Sequence, residues 1–324
     1  MSSSARRVLL YAGLGALVVL NVVLLALLLT RDVSAESVMG DAYTTPTAGS
    51  VTDESPSDEG TTPAESPSDD VVEGPTESES DAPAIDVPMP EPAERLIASA
   101  SGDVAWRAIV GSCEAPGSVE LTTDGGATWS PADVGGLAPV SRLKAITPAA
   151  VFAIGGVDPN CSPTYAGSVD GGNNWEQAPE LAQGSWYIDP SDRAVLGTSV
   201  GEVDAPCEVA GLAGFDDNAA ALLCTDGSLT VSNDGGASWT TAAEETNAVA
   251  IGLTLQGYVL AGSDEECAGT QIWTAGVEGD TAPVGCAEDV QTEAGQTAVS
   301  GAGGAMWLWA DDETLVSTDG GSTW

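Results

Sequence analysis

Beyond residue 90 the chain alternates short apolar runs with turn residues. Three such runs, RLIASAS, VAWRAIVGS and SVELTT, follow one another and are separated by Gly-Asp and Pro-Gly. The grouping recurs downstream, and the middle run of each group is apolar at nearly every position, as in AVFAIGGV, AALLCT and AMWLWA. Runs of this kind predict β-strands, and a strand that is apolar throughout is covered on both faces. The pattern therefore predicts an all-β domain.

A much longer apolar segment lies near the N-terminus. Val8–Thr30 contains no charged residue, and Arg6 and Arg7 precede it. The segment is long enough to span a bilayer, and the arginine pair predicts that residues 1–7 are cytoplasmic and that the rest of the chain lies outside. A signal peptide cleaved after Ala35 is the alternative. The run exceeds the roughly 7–15 apolar residues of a signal peptide, which favours an uncleaved, single-pass anchor in the cell membrane.

Residues 31–83 have a different composition from the rest. Pro, Ser, Thr, Asp and Glu dominate, and no basic residue lies between Arg31 and Arg95. Such a segment buries too little apolar surface to offset the entropy of ordering it. The segment is interpreted as a disordered spacer between membrane and domain. An O-glycosylated stalk or a cation-attracting brush is the alternative.

Composition excludes several classes of function. The chain has 49 acidic residues, 8 basic residues and no His, which gives a net charge of −41. Nucleic-acid binding is excluded because phosphate contacts need Lys and Arg. A Ser-His-Asp triad and a His-ligated metal site are excluded by the absence of His. No loop of the EF-hand type occurs, and we expect neither a metal nor another cofactor.

One octapeptide, Ser/Thr-x-Asp-Gly-Gly-x-x-Trp, occurs four times, as TTDGGATW, SVDGGNNW, SNDGGASW and STDGGSTW. The Asp side chain can accept backbone N–H groups of its own turn, the glycines supply the positive φ angles of a tight hairpin, and the Trp covers the apolar side of the hairpin. We therefore assign a structural role to Asp124, Gly126, Trp129, Asp170, Gly172, Trp175, Asp234, Gly236, Trp239, Asp319, Gly321 and Trp324.

The four octapeptides resemble the Asp-box, or BNR, repeat of sialidases, sortilin-type receptors and photosystem II assembly-factor-like β-propellers. The second copy departs from the repeat, since Asn174 replaces the usual Ser or Thr before the Trp. The resemblance covers about residues 85–324, and the predicted propeller domain spans residues 84–324. The resemblance implies a β-propeller in which each box joins the third and fourth strands of a blade.

The spacing of the boxes predicts the number of blades. Trp129 and Trp175 are one blade apart, and Trp239 is two blades before Trp324. The stretch from Trp175 to Trp239 is too long for one blade and short for two, so SWYIDPSDRAVLGTSVGEVDAPC is interpreted as a trimmed extra blade. The expected fold is an all-β propeller of about six blades, with five as the alternative.

A propeller must close its ring, commonly by letting an N-terminal strand complete the last blade. The segments IDVPMPEPAERLIAS and WEQAPELAQGSWYID both run from a short strand through Pro-containing residues into an inner strand. We therefore expect Ala84–Pro90 to be the outer strand of the last blade.

The six cysteines all follow the linker. An even number in an extracytoplasmic domain predicts disulfides, and the absence of His and of a CxxC pair disfavours zinc. Their places in the predicted blades suggest the pairs Cys113–Cys161, Cys207–Cys224 and Cys267–Cys286.

The resemblance to sialidases implies three arginines around a substrate carboxylate and a Tyr-Glu nucleophile pair. Arg95 and Arg142 instead occupy equivalent inner-strand positions, in RLIA and RLKA, and no Tyr lies near a matching Glu. We therefore expect a membrane-anchored binding or assembly module without catalytic activity, and a sialidase-like glycoside hydrolase is the alternative. The expected partners are the membrane and a protein or glycan ligand of the cell envelope. Arg95, Arg142 and Lys144 are candidate cations of the channel, unless neighbouring carboxylates pair with them.

Overall fold

The computed structural model describes residues 88–157 and 159–324. The predicted cytoplasmic tail (1–7), transmembrane helix (8–30) and linker (31–83) lie outside this part of the chain. Among the residues described, no helix combines the length and the apolar character that a membrane crossing requires. Their regular structure is β-strand, apart from one short 3-10 helix, Pro179–Leu181.

The strands form six separate antiparallel sheets, the blades of a β-propeller. Blade 1 contains β1 (Arg95–Ser99), β2 (Ala105–Ile109), β3 (Ser118–Thr122) and β4 (Ser130–Ala132). Blade 2 contains β5 (Val140–Thr147), β6 (Ala150–Val157), β7 (Ser162–Ser168) and β8 (Glu176–Gln177). Blade 3 contains β9 (Tyr187–Ile188), β10 (Val195–Thr198) and β11 (Gly201–Asp204).

The second half of the ring continues the same meander order. Blade 4 contains β12 (Val209–Gly214), β13 (Ala220–Cys224), β14 (Leu229–Ser232) and β15 (Thr240–Ala243). Blade 5 contains β16 (Ala248–Leu253), β17 (Tyr258–Asp264), β18 (Cys267–Ala275) and β19 (Thr281–Ala287). Blade 6 contains β20 (Ala298–Ala302), β21 (Ala305–Ala310) and β22 (Glu313–Ser317). The prediction of six blades is confirmed, and the trimmed blade is the three-stranded blade 3.

The core lies between the blades, around their second strands. Every residue of β13 and of β21 is buried, and the side chains of Trp106 in β2 and Trp307 in β21 have no exposed surface. Burial of one large apolar side chain stabilises the fold by about 1.5–3 kcal/mol. Neighbouring blades cover both faces of these strands, which explains why their sequences are apolar without alternation.

Three disulfides are present, with the pairing expected from the sequence. Cys113–Cys161 joins the β2–β3 turn of blade 1 to the residue before β7 of blade 2. Cys207–Cys224 lies in blade 4, and Cys267–Cys286 links β18 to β19 in blade 5. The described residues contain no free cysteine.

The expectation that Ala84–Pro90 forms the outer strand of blade 6 is wrong for the residues of this segment that the structure describes. In the described part of the chain blade 6 has three strands, and Pro88–Pro90 belong to none. Proline has no N–H to donate to a strand ladder, and two of these three residues are proline. The remainder of the expected strand, Ala84–Val87, lies outside the described residues.

The chain instead crosses one mouth of the central channel before it enters blade 1. Ala93 N donates to Ala210 O of blade 4 at 2.9 Å, and Glu94 N donates to Gly295 O, just before blade 6, at 2.8 Å. Blades 1 and 4 lie opposite each other in a ring of six, so Glu91–Glu94 form a strap over this end. We call it the strapped mouth and the other end the open mouth.

Side chains hold the seam between blades 6 and 1. Arg107 of β2 stacks on the rings of Trp129 and Trp309, with its Cζ 4.2 and 4.8 Å from the ring centroids. Its guanidinium also forms an ion pair with Glu120 at 2.7 Å and donates to Thr314 Oγ1 at 3.3 Å. A cation–π contact of this kind contributes about 0.5–2 kcal/mol. An arginine between two tryptophans therefore joins the first blade to the last.

Candidate functional site

The four Asp-box turns share one set of hydrogen bonds. In the first box Thr122 Oγ1 donates to Asp124 Oδ1 at 2.8 Å and accepts the N–H of Gly126 at 3.0 Å. Asp124 also accepts the N–H and the hydroxyl of Thr128, at 2.9 and 2.6 Å. In the second box the Nδ2 of Asn174 donates to the Asp carboxylate at 2.6 Å. The amide thus takes the place of the missing hydroxyl donor.

These bonds stabilise the ionised carboxylates. Hydrogen bonds from the Asn174 side chain and backbone, together with the Ser168 hydroxyl, lower the pKa of Asp170 to about 2. The backbone N–H of Thr323, with the hydroxyls of Ser317 and Thr323, lowers the pKa of Asp319 to about 2. The four box aspartates are exposed and point into their own turns, so their contacts are structural.

The first glycine of a box fixes the neighbouring turn at the open mouth. In three of the four boxes its N–H donates to a carbonyl in the turn between the first two strands of the same blade. The bonds are Gly125 N to Asp103 O at 3.0 Å, Gly171 N to Ala149 O at 2.8 Å and Gly235 N to Asn218 O at 2.9 Å. These three boxes therefore each position one loop of the open mouth, a role that the octapeptide alone does not reveal.

The second glycine of a box packs against the preceding blade. A Cβ on Gly126 would lie 3.3 Å from Trp307, one on Gly172 would lie 3.1 Å from the Trp106 Nε1, and one on Gly236 would lie 2.7 Å from Thr198. The sequence predicted positive φ at these glycines, and the structure has it, at 85° for Gly172. The packing role was missed because only the order of the blades in the ring reveals it.

The central channel encloses a cavity of about 1380 Å³. Its wall is made mainly of β1, β5, β12, β16 and β20, the first strands of five blades. Glu91–Glu94 line the strapped mouth. At the open mouth the side chains of Ile146 and Leu255 are 62% and 72% exposed. The channel is thus strapped at one end, and at the other it is bordered by these two exposed aliphatic side chains, which we call the apolar rim.

Two of the three predicted channel cations lie together. Arg142 donates to Trp186 O at 2.8 Å and Gly214 O at 3.0 Å. Lys144 Nζ donates to Gly214 O at 3.2 Å and Phe215 O at 2.6 Å. The first strand of blade 3, β9, has only two residues. Arg142 and Lys144 therefore reach past this short strand from blade 2 to the end of β12 in blade 4.

Burial changes the acidity of both groups. Desolvation lowers the pKa of Arg142 to about 10, although Asp217 and Tyr165 act against it. Desolvation and the charge of Arg142 lower the pKa of Lys144 to about 8, and the carboxylates of Asp216 and Asp217 oppose the shift. Lys144 is therefore mostly protonated at neutral pH, in a wall that leaves it partly exposed.

Arg95 is elsewhere in the channel wall. Its Nη1 donates to Gln296 O at 3.0 Å and to Asp311 O, and its Cζ lies 4.7 Å from the ring centroid of Trp309. It belongs to the seam between blades 1 and 6 and not to the Arg142–Lys144 pair. Backbone carbonyls, not carboxylates, accept the hydrogen bonds of all three cations.

The described arginines do not converge on one point. Arg107 is held in the seam, and Arg193 donates to Val209 O at 2.8 Å between blades 3 and 4. Each of Arg95, Arg107, Arg142 and Arg193 thus joins its blade to another. Within the described ranges no group of three or more His, Cys, Asp or Glu side chains could hold a metal ion.

Comparisons with known proteins give matches among solved structures alone. No protein-family model matches the chain, and no curated protein matches it. The structure of YCF48 bound to D1 peptide is 18% identical, with a TM-score of 0.27, and the match covers 71% of this chain and 66% of that one. A GH74 xyloglucanase from Xanthomonas campestris is 17% identical, with a TM-score of 0.27, over 71% of this chain and 37% of that one.

Lectin propellers also match. The Aleuria aurantia lectin, described as a six-bladed β-propeller with a novel fucose recognition mode, is 10% identical, with a TM-score of 0.39, over 72% of this chain and 98% of that one. At these identities the likeness concerns the fold and not the function. By its own six sheets, the described part of the chain is a six-bladed β-propeller.

Proposed function

We propose that the protein is a membrane-anchored binding or assembly module without catalytic activity, which presents its propeller outside the membrane. The anchor is the apolar segment 8–30, and residues 31–83 are the spacer. The ligand is a protein or glycan of the cell envelope. It binds at the open mouth, on the loops that the Asp boxes position.

The observation that carries this proposal is the apolar rim of the open mouth. Ile146 and Leu255 are 62% and 72% exposed in a chain with a net charge of −41. The two side chains border the channel from opposite blades, 2 and 5, and ligand pockets are lined mainly by apolar side chains with a few polar groups. The strap supports the same assignment, because it covers the opposite mouth.

The sialidase-like alternative has weaker support. A carboxylate-binding arginine cluster needs several guanidinium groups aimed at one point. The four described arginines are engaged at three junctions between blades. Arg95 and Arg107 lie at the seam between blades 6 and 1, Arg142 contacts blades 3 and 4, and Arg193 joins blade 3 to blade 4. Moving any of them to a substrate would break a contact between blades.

The test is capture of envelope components by the full-length protein, purified from membranes. We expect wild-type protein to retain a specific component, and Leu255→Asp to lose it. Leu181→Asp is the matched control, because Leu181 is also exposed but lies outside the channel wall. Equal capture by all three proteins would contradict binding at the open mouth. Hydrolysis of a fluorogenic sialoside, abolished by Arg95→Ala, would restore the enzyme interpretation.

A further inference from the structure

The channel has the chemistry of a small-molecule site between its two mouths. Partly exposed aliphatic side chains from blades 1, 4 and 5 line it: Leu96, Leu212, Ile251 and Leu253. Its volume of about 1380 Å³ exceeds the 300–1,000 Å³ typical of ligand pockets. Such pockets combine apolar walls with a few placed polar groups. Lys144 is one such group here, and other charged side chains also line the cavity: Glu91, Glu94, Arg95, Glu114, Arg142, Asp189, Arg193 and Asp216.

Lys144 has unused hydrogen-bonding capacity. An ammonium group has three N–H donors, and Nζ uses two of them on Gly214 O and Phe215 O. Among the described residues no acceptor takes the third. Arg142 differs, because its bonds to Trp186 O and Gly214 O fix it in the wall. The pKa of Lys144, about 8, leaves it charged at neutral pH.

We propose that the channel binds a single-chain carboxylate amphiphile, with its carboxylate on Lys144 Nζ and its alkyl chain against Leu96, Leu212, Ile251 and Leu253. One free N–H suits one carboxylate oxygen. A dianionic head group is disfavoured, because the carboxylates of Asp216 and Asp217 lie near the same ammonium. The exposed side chains of Ile146 and Leu255 at the open mouth give an alkyl chain an apolar route into the channel. This site goes beyond the binding-module function, since it requires neither the anchor nor an envelope partner.

The test is equilibrium binding of dodecanoate to the full-length protein in nanodiscs. The comparison protein is Lys144→Met, so that partitioning of the probe into lipid is the same in both samples. We expect one saturable site in wild type and at least tenfold weaker binding to Lys144→Met. Dodecanol, which has the same chain without the charge, is expected to bind both proteins equally weakly. Equal affinity of dodecanoate for both proteins would overturn the proposal.

A second measurement needs no variant. Lys144 is the only lysine of the sequence, so peptide mapping after treatment with an amine-specific acetylating reagent separates its reaction from that of the α-amino group. We expect saturating dodecanoate, but not dodecanol, to slow acetylation of Lys144 at least fivefold, with an added lysine-containing peptide as internal standard. An unchanged rate would overturn the proposal. If envelope capture still depends on Leu255 in that case, the binding-module function stands without the amphiphile site.

Discussion

At the scale of single residues, the Asp boxes show how a short motif serves both the fold and the site. The aspartate holds its own turn, and in three boxes the first glycine holds a loop of the open mouth. The sequence predicted the role of the aspartate, because all its partners lie within four residues of it. The bond from Gly171 to Ala149 O could not be predicted, because it depends on how the two hairpins of a blade meet.

Removal of one box carboxylate is predicted to destabilise the propeller. Asp170→Ala leaves the N–H groups of the turn and the Asn174 amide without their acceptor. We expect the melting temperature to fall by about 2–8 °C. Asp312→Ala is the matched control, because Asp312 is exposed in the β21–β22 turn. An equal melting temperature for the two variants would show that the turn does not depend on the carboxylate.

Acid is predicted to act on the same carboxylates. Their pKa lies below the ordinary value of 3.8, at about 2 for Asp170 and Asp319. A lowered pKa in the folded state contributes stability above the unfolded value, and this contribution is lost as the pH falls from about 4 through about 2. Unfolding free energies measured from pH 5 to pH 2 should therefore decline, and less steeply in Asp170→Asn. Identical slopes for the two proteins would contradict a role for Asp170.

At the scale of elements, features that depend on local sequence could be predicted, whereas contacts between blades could not. The predicted strands beyond residue 94 were confirmed because each is a local pattern. The expected strand at Ala84–Pro90 rested on a short resemblance between two Pro-containing segments, and Pro88–Pro90 are not a strand. The stacking of Arg107 on Trp309 joins residues far apart in sequence, so no local sequence pattern could predict it.

The glycine that docks on the preceding blade can be tested against a matched glycine. Gly172 and Gly184 both have positive φ, at 85° and 78°, and alanine at such a position costs about 1–2 kcal/mol. A Cβ on Gly184 would meet nothing within 4 Å, whereas one on Gly172 would lie 3.1 Å from Trp106. Gly172→Ala should therefore cost a further 1–3 kcal/mol or so of overpacking in denaturant titrations. Equal losses in the two variants would show that the docking carries no energy.

The seam between blades 6 and 1 is predicted to depend on Arg107. Arg107→Met removes two cation–π contacts and leaves Glu120 without its ion pair. We expect the free energy of unfolding to fall by at least about 1 kcal/mol. Glu120→Gln is the control, since loss of a partly exposed ion pair alone costs about 1 kcal/mol or less. If the two variants unfold alike, stacking on Trp129 and Trp309 does not hold the seam.

At the scale of the whole molecule, the short first strand of blade 3 explains why Arg142 and Lys144 lie together in the channel wall. Because β9 has only two residues, Arg142 and Lys144 reach across to blade 4 and bring two cations together in the channel wall. The sequence singled out Arg142 and Lys144 from their position on an inner strand. It did not separate them from Arg95, which has the equivalent position on β1 but lies at the seam. Arg142 and Lys144 lie together because blade 3, next to them in the ring, has a short first strand, and this arrangement is visible only in the folded propeller.

The central claim, that the open mouth is the binding face, is tested most directly by hydrogen–deuterium exchange of the full-length protein with and without its captured envelope partner. The account predicts slower exchange in the loops of the open mouth, residues 146–149, 215–219 and 254–257. It predicts unchanged exchange at residues 112–116 and 225–228, in turns that join the second and third strands of their blades. Protection confined to the second set, or to the strap at Glu91–Glu94, would contradict the account.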